Sequence, residues 1–206
     1  MEERVTFDAD GLQIEGVVKQ NTSDNGVVVA HPHPLYGGNM FDFVVESIAN
    51  AYWENGYSTL KFNFRGVGKS QGHYENGGGE QRDLISAVNF LSGIGIEHID
   101  LAGYSFGTWV ISRAIADALG IQNIVFVSPP MGLMAFEGDA LSRHLKLVVT
   151  GSLDDFAPPD EIRKKLDQWQ SKAVLEIIQG ADHFYGGFHY RLENLIKTHI
   201  ERKTNP

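Results

Sequence analysis

The sequence predicts an α/β protein: a mainly parallel, twisted sheet with helices on both faces and an N-terminal antiparallel hairpin. Three observations predict it. Short apolar runs alternate with segments whose apolar residues recur at helical spacing. Some of the short runs, such as "GVVVAH" at 26–31, are apolar throughout, as strands covered on both faces are. The first two runs differ, being joined by Asp10-Gly11, a dipeptide suited to a tight antiparallel turn.

"RVTFDA" and "LQIEGVVKQ" form the hairpin, and 26–31 is the first buried strand. "NMFDFVVESIANAYWENG" has helical periodicity and stops at Gly56, a good helix terminator. "YSTLKFNF" is a strand, followed by a Gly-rich loop and the helix "EQRDLISAVNFLSG". Strand 98–104 leads into a helix with apolar residues at Trp109, Val110, Ile111, Ala114 and Ile115. "IQNIVFVS", "LKLVVTG" and "AVLEIIQG" complete the strands, and "PPDEIRKKLDQWQ" and "HYRLENLIKTHIERK" complete the helices. No internal repeat or low-complexity tract interrupts the pattern.

A chain of 206 residues with 42% hydrophobic content can bury one substantial core, and no linker divides it, so 1–206 is expected to be a single domain. The net charge of −9 argues against nucleic acid or an anionic membrane as the main partner. With no cysteine, disulfides, thiolate metal sites and a cysteine nucleophile are excluded. "MEERVTFDAD" has neither the basic start nor the apolar core of a signal peptide, and no apolar run approaches the ~18 residues of a membrane span. The expected location is the cytoplasm. A homodimer stays open.

The chemistry centres on Gly103-Tyr104-Ser105-Phe106-Gly107, at the seam between strand and helix. In a parallel sheet, loops after strand C-termini collect ligand and chemistry. A serine in Gly-x-Ser-x-Gly there lies on a strained corner with its hydroxyl held clear of the backbone, and the glycines let neighbouring chain approach closely. The following helix adds its positive end and free N–H groups. The competing reading is a helix-capping serine between incidental glycines. A serine needs a base and a group to orient that base. Both follow in the chain: Asp154 and Asp155 in "GSLDDFAPP", then His183 in "GADHF", each after a strand. Spacing alone does not separate the two aspartates.

With these motifs the chain resembles the α/β-hydrolase superfamily over almost its whole length. "AHPHPLYGGNM" and "FNFRGVGKSQG" are similar to the small, lidless bacterial branch near the dienelactone-hydrolase-like proteins. The resemblance implies the α/β-hydrolase fold without a cap domain and a Ser105–Asp154–His183 triad. The acid falls on Asp154 because Gly151, Asp154, Ala157 and Pro158 match the branch's Gly-x-x-Asp-x-x-Val-Pro, with Ala in place of Val. True dienelactone hydrolases carry cysteine at the nucleophile and dehalogenases aspartate, so serine disfavours both substrates. An oxyanion hole requires two backbone N–H groups. Phe106 is expected to supply one, and alignment of "PLYGGN" with the family's His-Gly-x-x-Gly loops favours Leu35 for the other. His33, Tyr36, Tyr104 and Met131 are expected to line the substrate pocket.

Two rival chemistries are open. His31 and His33 in "HPHP" have metal-ligand spacing, against which stands a rigid turn held by two prolines. Gly68-Lys69-Ser70 ends like a phosphate loop, but position 63 is Asn where that motif needs Gly, and glycines 66, 68 and 72 miss the dinucleotide spacing. The remaining histidines, 73, 98, 144, 189 and 199, fall in loops, strand starts or the last helix. The expectation is a serine hydrolase of small carboxylic esters that needs no cofactor or metal. Amide hydrolysis and a non-catalytic binding role on the same fold are the alternatives.

Overall fold

The computed structural model describes residues 1–114, 120–136 and 141–204. Its sheet has eight strands: β1 (Glu2–Ala9), β2 (Leu12–Lys19), β3 (Asn25–Ala30), β4 (Ser58–Phe62), β5 (His98–Tyr104), β6 (Ile121–Val127), β7 (Leu145–Gly151) and β8 (Val174–Ile178). Their spatial order is β1-β2-β4-β3-β5-β6-β7-β8. β1 and β2 pair antiparallel, and β2 joins β4 antiparallel. From β4 to β8 every pairing is parallel. Asp10 and Gly11 both take positive φ, 55° and 81°, as the predicted two-residue turn requires.

Alternation along the central strands explains why helices cover both faces. Val27 and Val29 of β3 point into one apolar layer with α1 (Phe43–Glu54) and α6 (His189–Thr204). Val28 and Ala30 point into the other, with α2 (Gly78–Gly93), α3 (Phe106–Ala114) and α5 (Pro159–Gln168). α1 begins later than its periodicity suggests. Asp42 caps it, its carboxylate accepting the Val44 N–H at 2.9 Å, and residues before it form a turn, with Asp42 N–H bonded to the Asn39 carbonyl. Apolar spacing cannot register that boundary, because Met40 is buried although it lies in the turn before the helix.

Between Ser128 and Leu145 the described residues form turns and a short helix, α4 (Leu141–His144), and no inserted cap domain. Within this interval Met131 and Phe136 join the main apolar layer, while Leu133 faces outward. Ile115 and the "GDA" segment at 138–140 lie outside the described residues.

The Gly-rich loop after β4 is pinned by a buried cation. Arg65 makes a two-pronged bond to Asp83 of α2 and reaches Glu75 at 2.7 Å. Gly79 has no Cβ because Arg65 occupies that space. The clamp presents Tyr74, whose hydroxyl lies 3.2 Å from His33 Nε2. This gives "FNFRGVGKSQG" a structural role.

Candidate active site

β5 ends directly in α3, and Ser105 is the hinge between them. Its φ of +51° is a left-handed conformation costly for a residue with a side chain, held here by bonds on both sides. Ser105 N–H donates to the Val127 carbonyl at 2.9 Å, and Thr108 closes the corner through bonds from its N–H and its hydroxyl to the Ser105 carbonyl. The glycines have a steric cause. A Cβ on Gly103 would lie 2.8 Å from Thr108 N, and one on Gly107 would lie 2.7 Å from the carbonyl carbon of Ala30.

The corner aims Ser105 Oγ at His183, 3.0 Å from Nε2. On the ring's other side Nδ1 lies 2.9 and 3.0 Å from the two carboxylate oxygens of Asp154. Asp154 is 2% exposed and is held by the chain around it. Its Oδ1 accepts the N–H groups of Phe156 and Ala157, and Oδ2 accepts the Ser128 hydroxyl at 2.6 Å. Burial pushes the Asp154 pKa up, but the hydrogen bond and charge of His183 and the bonds from Ser128 and Ala157 outweigh it and hold it below the ordinary value. The carboxylate is therefore ionised at neutral pH, while Asp155 next to it is exposed.

Behind Asp154 runs a buried network not visible in the sequence. Ser128, at the end of β6 with φ +48°, lies 2.8 Å from the hydroxyl of Tyr185, also in a left-handed conformation at φ +55°. The only sequence signal for Ser128 is its place at a strand C-terminus beside the elbow; for Tyr185 there is none.

The turn after β3 departs from expectation. Leu35 N–H is engaged, donating to His33 Nδ1 at 3.2 Å, and the Leu35 side chain is 67% exposed. His33 lies between two prolines but keeps its own amide, which donates no hydrogen bond among the described residues. Phe106 N–H, at the first turn of α3, is likewise without an intrahelical acceptor. The His33 ring lies 4.7 Å from the Phe106 ring and 4.9 Å from that of Tyr36.

Two expected pocket residues are withdrawn from the cleft. Tyr104 is 2% exposed and donates its hydroxyl to the His183 carbonyl, which supports the histidine loop from below. It alternates away from Ser105 along the strand end, as the two-residue period requires. Met131 is 3% exposed and packs in the main core.

The "HPHP" nitrogens are occupied within the chain. His31 Nδ1 lies 2.6 Å from the Pro32 carbonyl and Nε2 accepts the Phe64 N–H at 3.0 Å. Burial lowers the His31 pKa to about 4, so the ring is neutral. His33 bonds Leu35 and Tyr74 through its two nitrogens. A cavity of about 520 Å³, lined by Arg4, Glu15, Asn39, Phe41, Asn63 and Lys69 among others, lies beyond this turn and does not include Ser105, Asp154 or His183. Among the described residues, no helix is long and apolar enough to cross a membrane.

The chain is 33% identical to the uncharacterized protein RP471 of Rickettsia prowazekii (strain Madrid E), in an alignment of 206 residues covering 94% of this chain and 85% of the other. An α/β serine hydrolase homologue from Coxiella burnetii is 30% identical and superposes with a TM-score of 0.86, over 95% of this chain and 96% of its own. XC6422 from Xanthomonas campestris, an α/β serine hydrolase without a lid, is 27% identical with a TM-score of 0.89, over 98% and 94%. No protein-family model matches the chain. The chain belongs to the α/β serine hydrolase family. Within that family it is similar to a lidless member.

Proposed function

We propose that the protein hydrolyses small carboxylic esters by a Ser105–His183–Asp154 mechanism. The observation that carries the reading is the unbroken relay from Ser105 Oγ through the imidazole to an ionised, fully bonded carboxylate. In the first half-reaction Ser105 Oγ attacks the ester carbonyl carbon as its proton passes to His183 Nε2. The resulting imidazolium is stabilised by Asp154, which also fixes the tautomer with hydrogen on Nδ1. Negative charge on the former carbonyl oxygen is met by the N–H groups of Phe106 and, in this proposal, His33 in place of Leu35. Collapse breaks the bond to the alcohol oxygen, which takes the proton from Nε2. Water then attacks the acyl-enzyme, giving a proton to His183 Nε2; collapse breaks the bond to Ser105 Oγ, which takes that proton back, and releases the carboxylic acid.

A fluorophosphonate probe followed by peptide mass mapping tests the reading. Labelling is expected at Ser105 and lost in Ser105→Ala, with ester hydrolysis falling to the residual ~10³–10⁴-fold over water that binding and the oxyanion hole leave behind. Wild-type turnover by Ser105→Ala would remove the serine from the mechanism, and an inert wild-type protein would favour a binding role on this fold.

A further inference from the structure

Resting on the ester-hydrolase reading, we infer that the alcohol half of the substrate carries an aromatic ring, received in the corner formed by Phe156 and Phe184 beside His183. The argument starts from the direction of bond breaking. His183 Nε2 must deliver its proton to the leaving oxygen, so whatever that oxygen carries departs along the histidine side of the cleft. Two rings stand there. The Phe156 ring centroid is 4.9 Å from that of His183, and the Phe184 centroid is 5.6 Å away at 89°. They face each other at 6.5 Å and 73°, an edge-to-face corner open to solvent.

Neither ring belongs to the apolar layers of the core. Phe156 is 49% and Phe184 68% exposed, so the free protein leaves much of their surface in water. Leu35, Tyr36, Leu133, Leu153, Phe156 and Phe184 are all exposed and all come from loops following strand C-termini, at the end of the sheet that carries Ser105 and His183. On the histidine side of the cleft the apolar surface is aromatic, with rings already set at the perpendicular angle that a third ring can join by stacking on one and meeting the edge of the other.

Hydrolysis of benzyl acetate, cyclohexylmethyl acetate and ethyl acetate by the whole protein tests this. The first two differ in aromaticity and little in size or alcohol acidity. The expected result is a kcat/KM for benzyl over cyclohexylmethyl acetate of about fivefold, falling toward one in Phe156→Leu and Phe184→Leu, which keep apolar bulk. Should either variant fold poorly, product inhibition of the wild type reads the same corner: benzyl alcohol is expected to inhibit more strongly than cyclohexylmethanol. Turnover of all three esters with no aromatic preference, or a preference that survives both substitutions, overturns this inference and leaves the ester reading standing. No turnover of any ester overturns both.

Discussion

Asp154 and Asp155 are chemically identical neighbours with opposite surroundings, and their contrast is the sharpest test available at single residues. Asp154 accepts from His183, Ser128 and two main-chain N–H groups, whereas Asp155 faces water. Asp154→Asn would set an amide against His183 Nδ1 and favour the wrong tautomer, so kcat/KM is expected to fall by about four orders of magnitude. Asp155→Asn is expected to stay within about twofold, since surface substitutions away from special features cost little. The reverse ranking, read from steady-state kinetics of the two variants, would move the acid by one position. Spacing in the sequence could not choose between them; the tight turn that directs Phe156 and Ala157 N–H groups onto Asp154 Oδ1 makes the choice, and it leaves no residue-type signature. His31 carries a second residue-scale prediction. Its folded pKa of about 4 lies below the ordinary 6.5, because burial disfavours the cation. Between those values the unfolded chain binds a proton that the folded chain does not, so stability falls as pH drops from about 6.5 to 4. The contribution is about 3 kcal/mol. His31→Gln keeps a donor and an acceptor but cannot titrate. Urea unfolding across that window is expected to show a shallower pH dependence in the variant; parallel curves would mean that His31 is already protonated or does not matter.

The strand–corner–helix element of β5 and α3 works because three segments of main chain meet where side chains are missing. Gly107 touches the end of β3, and Gly103 touches the first turn of α3. A Cβ at 107 would run into the Ala30 carbonyl, and backbone there cannot swing away as a side-chain tip can. Gly107→Ala is therefore expected to cost about 1–3 kcal/mol. For a chain of this size that lowers Tm by roughly 2–12 °C. Gly78, at the first turn of α2, has open space around its missing Cβ, and Gly78→Ala is expected to hold or slightly raise Tm. A Gly107→Ala protein as stable as Gly78→Ala would show that the close approach of β3 to α3 does not exist. Elements of this kind are legible in the sequence because exclusion of side chains leaves a compositional mark, as it did for the elbow and for the Asp10-Gly11 turn. The turn after β3 leaves a weaker mark. Two prolines remove amides on either side of His33, which keeps its own, while Leu35 N–H bonds the His33 ring. A side-chain bond of that sort is decided by geometry after folding, and no residue pattern announces it.

At the scale of the whole molecule, the sheet places the loops after β3, β5, β7 and β8 around one cleft, and nothing among the described residues is inserted to cover it. The alternation of strands and helices foretold those loops, but not the strand order, because pairing between distant segments depends on tertiary contacts that a single chain's periodicity does not contain. That no cap is inserted between Ser128 and Leu145 among the described residues has a consequence for substrate size. Among the described residues of that interval Met131 and Phe136 pack into the core, and Leu133 is the large apolar side chain left exposed, which leaves little apolar wall to receive a long acyl chain. A buried methylene contributes ~0.8 kcal/mol only where apolar surface receives it. Each added acyl carbon beyond the first few would extend into water, gaining nothing in the transition state while losing conformational freedom. With the alcohol held constant, kcat/KM is therefore expected to peak at short acyl chains and to decline through octanoate and beyond. Closing motions that expel water and open at an interface need a mobile cover, so rates are expected to show no upward break as the substrate concentration passes its micellar limit. Benzyl esters of increasing acyl length, measured on both sides of that limit, separate this limit on the acyl side from any preference for the ring on the alcohol. A maximum at long chains, or an interfacial jump, would require a wall supplied from outside the described fold, by a second copy of the chain or by another surface.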